Sequence, residues 1–110
     1  MAAKFSTRVT SYGTVDELNS VVGLARLQAE GEMDAQLSRI QNDLFDLGAD
    51  LCTPDMEKDA ERDYPPLRMA ATQVSRLESE IDVMNGALEP LRSFILPGGS
   101  ALAAHLHHCR

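Results

Sequence analysis

The chain has 110 residues, 44% of them hydrophobic and 25% charged, with a formal net charge of -7. That length supports one domain with modest stability in reserve, and the ten scattered Lys and Arg leave no basic face for nucleic acid or an anionic membrane. No run approaches the roughly 20 apolar residues of a membrane span, and no apolar signal segment follows Met1. The basic, hydroxyl-rich stretch Lys4 to Arg8 has the composition of an organelle transit peptide but is too short for one, and is read as an ordinary cytoplasmic N-terminus. Cys52 and Cys109 follow no CxxC pattern, so free thiols in a reducing compartment are expected.

Thr14 followed by Glu17 has the spacing of a capping box, and Leu18, Val21, Val22, Ala25 and Ala29 recur at helical intervals. The first helix is therefore expected over about Val15 to Ala29, with Gly31 as terminator. From Met33, the positions Leu37, Ile40, Leu44, Leu47 and Leu51 alternate steps of three and four, the seam of a bundle helix ending near Leu51 before Thr53-Pro54. The charged segment through Asp63 and Tyr64-Pro65-Pro66 has little apolar content and reads as a mobile connection.

Leu67, Ala70, Val74, Leu77, Ile81, Met84 and Leu88 repeat the same alternation in a third helix, ended by Asn85-Gly86 and Pro90. Next comes Ser93-Phe94-Ile95-Leu96-Pro97-Gly98-Gly99-Ser100, an apolar tripeptide followed by a rigid turn and a serine able to cap a fourth helix from Ala101. The fourth stripe, Leu102, Leu106 and Cys109, is still running at Arg110, with no C-cap. No strand pattern or repeat competes, so the predicted fold is an all-α up-and-down bundle of four helices in a single domain, 1–110, truncated at both ends.

Chemistry is sparse in the residues themselves. No GxxxxGK[ST] loop, HExxH motif or nucleophile–base pair occurs. A helix places His105 near His108 and Cys109, which reads either as a metal site or as surface and packed histidines; without a second ligand cluster, no metal site is assigned. Asp43, Asp46 and Asp50 share a helix face, as a carboxylate metal site or as solvated acids, and Asp43 is read as solvated. Asp16 falls at the second position of the expected helix, where the helix dipole stabilises a carboxylate.

Three segments together, Tyr12 to Asn19, Ile40 to Leu51 and Phe94 to Arg110, resemble the ATP:corrinoid adenosyltransferases of the propanediol-utilisation and human mitochondrial B12 type. The likeness covers roughly the central half of a family member. It implies a five-helix bundle, of which four helices are present, assembled as a homotrimer with active sites between subunits. The implied substrates are ATP and cob(I)alamin, whose cobalt takes the 5′-deoxyadenosyl group with release of triphosphate, assisted by Mg2+. Phe94 matches the family phenylalanine that packs under the corrin and displaces its lower ligand; the alternative for Phe94 is a plain core residue. Asp16 and Arg110 match an aspartate and an arginine that pair across the subunit interface beside the corrin.

The likeness is incomplete. Nothing between Met1 and Ser11 resembles the TxTGDxGxT-like segment that wraps the ATP phosphates in the family, and the family's Arg- and Glu-rich continuation after Arg110 is absent. No ATP-binding residue is assigned, and the 110 residues alone are expected to have weak or no activity. The alternative function is a non-catalytic helical module for corrinoid binding or self-association.

Overall fold

A computed structural model describes residues 7–110, so most of the Lys4 to Arg8 stretch lies outside the described residues. The elements are α1 (Thr7–Arg26), α2 (Gly31–Cys52), a 3-10 helix (Met56–Glu61), α3 (Ala71–Asn85) and α4 (Ala101–Cys109). The described residues contain no strand, and the all-α expectation holds.

α1 is already helical at Thr7, eight residues before the expected start. Ser11, Thr14 and Ser20 donate to the carbonyls of Thr7, Thr10 and Asp16, each one turn back, so Thr14 is satisfied inside the helix and does not form the expected capping box with Glu17. The helix also stops earlier than expected, at Arg26, and Gly31 opens α2 with φ of 60° rather than closing α1. α2 matches its expected span to within two residues at each end.

α1 and α2 run antiparallel, with Arg26 beside Asp34 at one end and the Arg8 guanidinium on the Leu51 carbonyl at the other. Their stripes meet in a small core of Val22, Ala25 and Leu37, flanked by Leu18, Met33, Ile40 and Leu44. Leu102, Leu106 and Cys109 of α4 close over the same cluster, so the fourth stripe is occupied although its helix is short. Ser100 Oγ accepts the Ala103 N–H at 3.0 Å, the cap expected of it, and Gly99 at φ of 104° makes the turn that no L-residue adopts easily.

The expected mobile connection is instead tethered. The Arg68 guanidinium forks onto both carboxylate oxygens of Asp59, at 2.6 and 2.8 Å, and donates to Asp50 Oδ1 at 2.8 Å; the Met69 N–H bonds Asp50 Oδ2 at 2.9 Å. Charge pairing thus orders a segment that has little apolar content to pack. These bonds tie down Arg68 and Met69 in a stretch, Leu67 to Ala70, that is not helical, so α3 begins at Ala71 and the first residues of its stripe fall outside it. The Gln73 side-chain oxygen accepts the Ala70 N–H, which fixes the start. The Met69 N–H and Arg68 hold the Asp50 carboxyl below the usual carboxylate range, Arg68 does the same for Asp59, and the Arg68 pKa rises in return.

α3 is joined to α2 by polar groups. Gln73 Nε2 donates to Asp43 Oδ1 at 2.9 Å and Asp46 Oδ2 at 3.0 Å, Arg76 pairs with Asp43, and Arg39 reaches Glu80 at 3.3 Å. The heptad stripe is present, but Val74, Ile81 and Met84, with Leu88 beyond the helix end, are exposed. An apolar seam was expected to dock this helix; a charged face does so.

Candidate functional site

Asp16, Asn19 and Phe45 form a ridge on the α1–α2 pair. On one side lies an open polar hollow of about 420 Å³ that includes Arg26, Gln41 and Asn42; on the other, an apolar hollow of about 410 Å³ includes Tyr12, Val15, Leu44 and Cys52. One face of the helix pair therefore offers a carboxylate, an amide and an aromatic ring between a wet and a dry surface. Such a boundary suits a large ligand or partner with both kinds of surface.

The early start of α1 moves Asp16 to mid-helix. The expectation that a helix N-terminus stabilises its charge therefore fails, because the dipole effect is confined to the first turn. Asp16 is exposed and takes part in none of the ion pairs among the described residues. Arg110 is also exposed, at the α4 C-cap, where its backbone N–H bonds the Leu106 carbonyl. A single chain does not bring Asp16 and Arg110 together in an ion pair.

Phe94 has a relative exposure of 106%, and Ile95 and Leu96 beside it are exposed as well. Phe94 therefore lies outside the core that the described residues form. Three apolar side chains in a row are exposed between α3 and the Gly98-Gly99 turn, outside the core of the described residues.

Asp43 corrects another expectation. It is 7% exposed, paired with Arg76 and bonded by Gln73, so it is a buried anchor for α3 and not a solvated acid. Asp46 and Asp50 are likewise taken by Gln73 and Arg68. No group of three or more His, Cys, Asp or Glu among the described residues is placed to hold a metal ion. Cys52 and Cys109 are free thiols, and burial pushes the Cys109 thiol up.

Phe45 was not singled out in the sequence, although it is 66% exposed beside Asp16. The signal was available: Phe45 lies off the Leu37, Ile40, Leu44, Leu47 seam, and a large aromatic off the seam of a bundle helix has no core to fill. The amide pair Asn19–Gln41, which crosses the α1–α2 seam, had no such signal.

The fold is that of a PduO-type corrinoid adenosyltransferase bundle. It superimposes on two Lactobacillus reuteri structures, each a phenylalanine variant complexed with cobalamin and ATP, with TM-scores of 0.79 and 0.80 at 36% and 35% identity. The matches cover 98% of this chain and 59% and 57% of those chains. The chain belongs to the cobalamin adenosyltransferase family, whose sequence profile matches residues 1–110. It is 46% identical to the corrinoid adenosyltransferase of Mycobacterium tuberculosis over 98% of its own length, and 42% identical to that of Bacillus subtilis over 97%. It spans about half the length of these relatives, 55% and 54% respectively.

Proposed function

We propose that this chain is the corrinoid-handling part of an ATP:corrinoid adenosyltransferase. In the reaction, the cobalt of cob(I)alamin supplies an electron pair to the 5′ carbon of ATP. The cobalt–carbon bond forms as the bond from that carbon to the triphosphate oxygen breaks, and triphosphate leaves with its electron pair. The observation that carries the reading is the exposed Phe94 ring beside a turn whose shape is set by Pro97 and by Gly99 at positive φ, an apolar surface outside the core of the described residues and available to a ligand.

In this reading Phe94 packs against the lower face of the corrin, keeps water and the nitrogenous tail from the axial position, and so favours reduction of Co(II). Asp16 pairs with Arg110 of a second copy in a homotrimer, beside the corrin. Desolvated at an interface, such a pair would be costly to break from one side, by about 2–5 kcal/mol. Positioning of the two reactants is the main contribution of the protein. Mg2+ would assist departure of the triphosphate; no described residue is assigned to it, and no step here is routed through that metal. No described helix is long and apolar enough to cross a membrane; the setting we propose is cytoplasmic.

The test is a single-turnover assay with stoichiometric protein, ATP and chemically reduced cobalamin, followed by the absorbance of adenosylcobalamin and by chromatography of the nucleotide products. Adenosylcobalamin and triphosphate should appear in equal amounts, slowly if ATP-binding segments lie outside these residues. ATP cleavage to ADP, or failure of the chain to bind cobalamin in an absorbance titration, would refute the reading, whereas weak or no turnover from these residues alone is expected.

A further inference from the structure

The α1–α2 seam carries a reciprocal amide lock. Asn19 Nδ2 donates to the Gln41 backbone carbonyl at 3.2 Å, and Gln41 Nε2 donates to the Asn19 backbone carbonyl at 3.1 Å. Each side chain thus bonds the partner helix's backbone at the residue opposite, which fixes the sliding position of one helix on the other. Arg26 Nη1 donates to Gln41 Oε1 at 3.0 Å, while Arg26 Nε pairs with Asp34 at 2.9 Å, so the Gln41 amide is itself held in orientation.

Gly23 supplies a second, independent observation. A Cβ at Gly23 would lie 3.2 Å from Gln41 Nε2, closer than ordinary van der Waals contact. α1 therefore carries a glycine in its interior, where alanine is the better helix former, at the place where the Gln41 amide must pass.

The lock adjoins the ridge, to which Asn19 itself belongs. Asn19 follows Asp16 by three residues and Gln41 precedes Phe45 by four, spacings that put each pair on one helix face. We propose that Asn19 and Gln41, with Gly23 as clearance, are positioning residues that set the α1–α2 register and thereby hold Asp16 and Phe45 beside each other on the corrinoid-facing ridge; this rests on the functional reading above. An apolar seam such as Leu18, Val22, Ile40 and Leu44 tolerates sliding far better than two directional bonds do.

Two readouts test it. The first is independent of function: with Cys52 and Cys109 replaced by Ser, a disulfide is engineered between Val15→Cys and Gly48→Cys, since a Cβ at Gly48 would lie 3.9 Å from Val15 Cγ1. Asn19→Ala, Gln41→Ala and Gly23→Ala should each slow its formation at least about fivefold. The second readout is cobalamin affinity by absorbance titration, expected to weaken about tenfold in Asn19→Ala and about fivefold in Gly23→Ala. In a Gln41→Ala background, Gly23→Ala should have no further effect, because the atom it displaces is gone. A purely structural role predicts the opposite for Gly23→Ala, namely equal or better folding with unchanged affinity. Unchanged cross-linking rates in all three variants overturn the inference. If the unsubstituted chain binds no cobalamin, the functional reading fails while the cross-linking result still decides whether the lock sets register.

Discussion

Arg76→Ala is the perturbation that probes most sharply how α3, and with it the start of the Phe94 loop, is held. Asp43 is buried, and its partners are Arg76 and Gln73 alone among the described residues. Removing the guanidinium leaves a buried carboxylate with one neutral donor, a loss of about 3 kcal/mol, the low end of the range for broken buried pairs because the Arg76 side chain is 32% exposed. No apolar seam backs up this contact, so the loss should appear as local opening of α3, at roughly a hundredfold in the opening equilibrium. Native-state amide exchange is the assay. The α3 amides should exchange about a hundredfold faster, or lose protection altogether if docking is worth less than that, while amides of the α1–α2 core change by less than about threefold. A companion Asp43→Leu/Arg76→Met variant should recover much of the protection, since replacing both partners leaves no unpaired charge. Unchanged α3 exchange in Arg76→Ala, or the same acceleration throughout the chain, would refute the claim that α3 is docked by its polar face.

The Asp50–Arg68–Asp59 clamp should respond to acid alone. Both carboxyls are held below their unfolded value of about 3.9, so their contribution is fully present above that pH and is lost as the pH falls through the folded values. The Met69 amide should show pH-corrected protection that is constant between about pH 5 and 8 and falls away only below about pH 4; a decline starting near pH 6 would contradict the clamp. Gly99→Ala places a side chain at φ of 104°, in otherwise open space, and should cost about 1 kcal/mol or more by strain alone, read as a lower melting temperature and weaker cobalamin binding. Ser100→Ala removes the α4 cap and should cost about 1 kcal/mol in urea titration, without altering cobalamin affinity in the folded protein by more than about twofold.

Much of this molecule is legible in its sequence where local chemistry decides. The α2 seam, the Ser100 cap and the Gly99 turn follow from spacing and backbone preference, and they stand where the residues put them. Legibility fails where partners are distant in sequence. Asp43 reads as solvated because its partners Gln73 and Arg76 lie about thirty residues away on another helix. The connection reads as mobile because Arg68 gathers Asp50 and Asp59 only once the chain turns back on itself. The α3 stripe is misleading in a different way, since a heptad pattern states that a face is apolar and not which surface covers it. Thr14 shows the remaining weakness: a capping signature is indistinguishable from hydroxyls bonded one turn back until the residues upstream are known to be helical. For the site, Phe94, Asp16 and Arg110 came from resemblance, whereas Phe45 and the Asn19–Gln41 lock required three-dimensional proximity.

The central claim, that Phe94 is presented for the corrin, is tested most directly by titrating the protein with cob(II)alamin and reading the visible spectrum, in parallel with Phe94→Ala. Phe94 is exposed, so its truncation should leave unfolding within about 0.5 kcal/mol of the unsubstituted chain, far from the roughly 3–5 kcal/mol of a core phenylalanine. The account predicts saturable binding with a spectral change that reports loss of the lower ligand, and a Phe94→Ala variant equally stable in which that change is absent. An identical spectrum and affinity in the two proteins would contradict it.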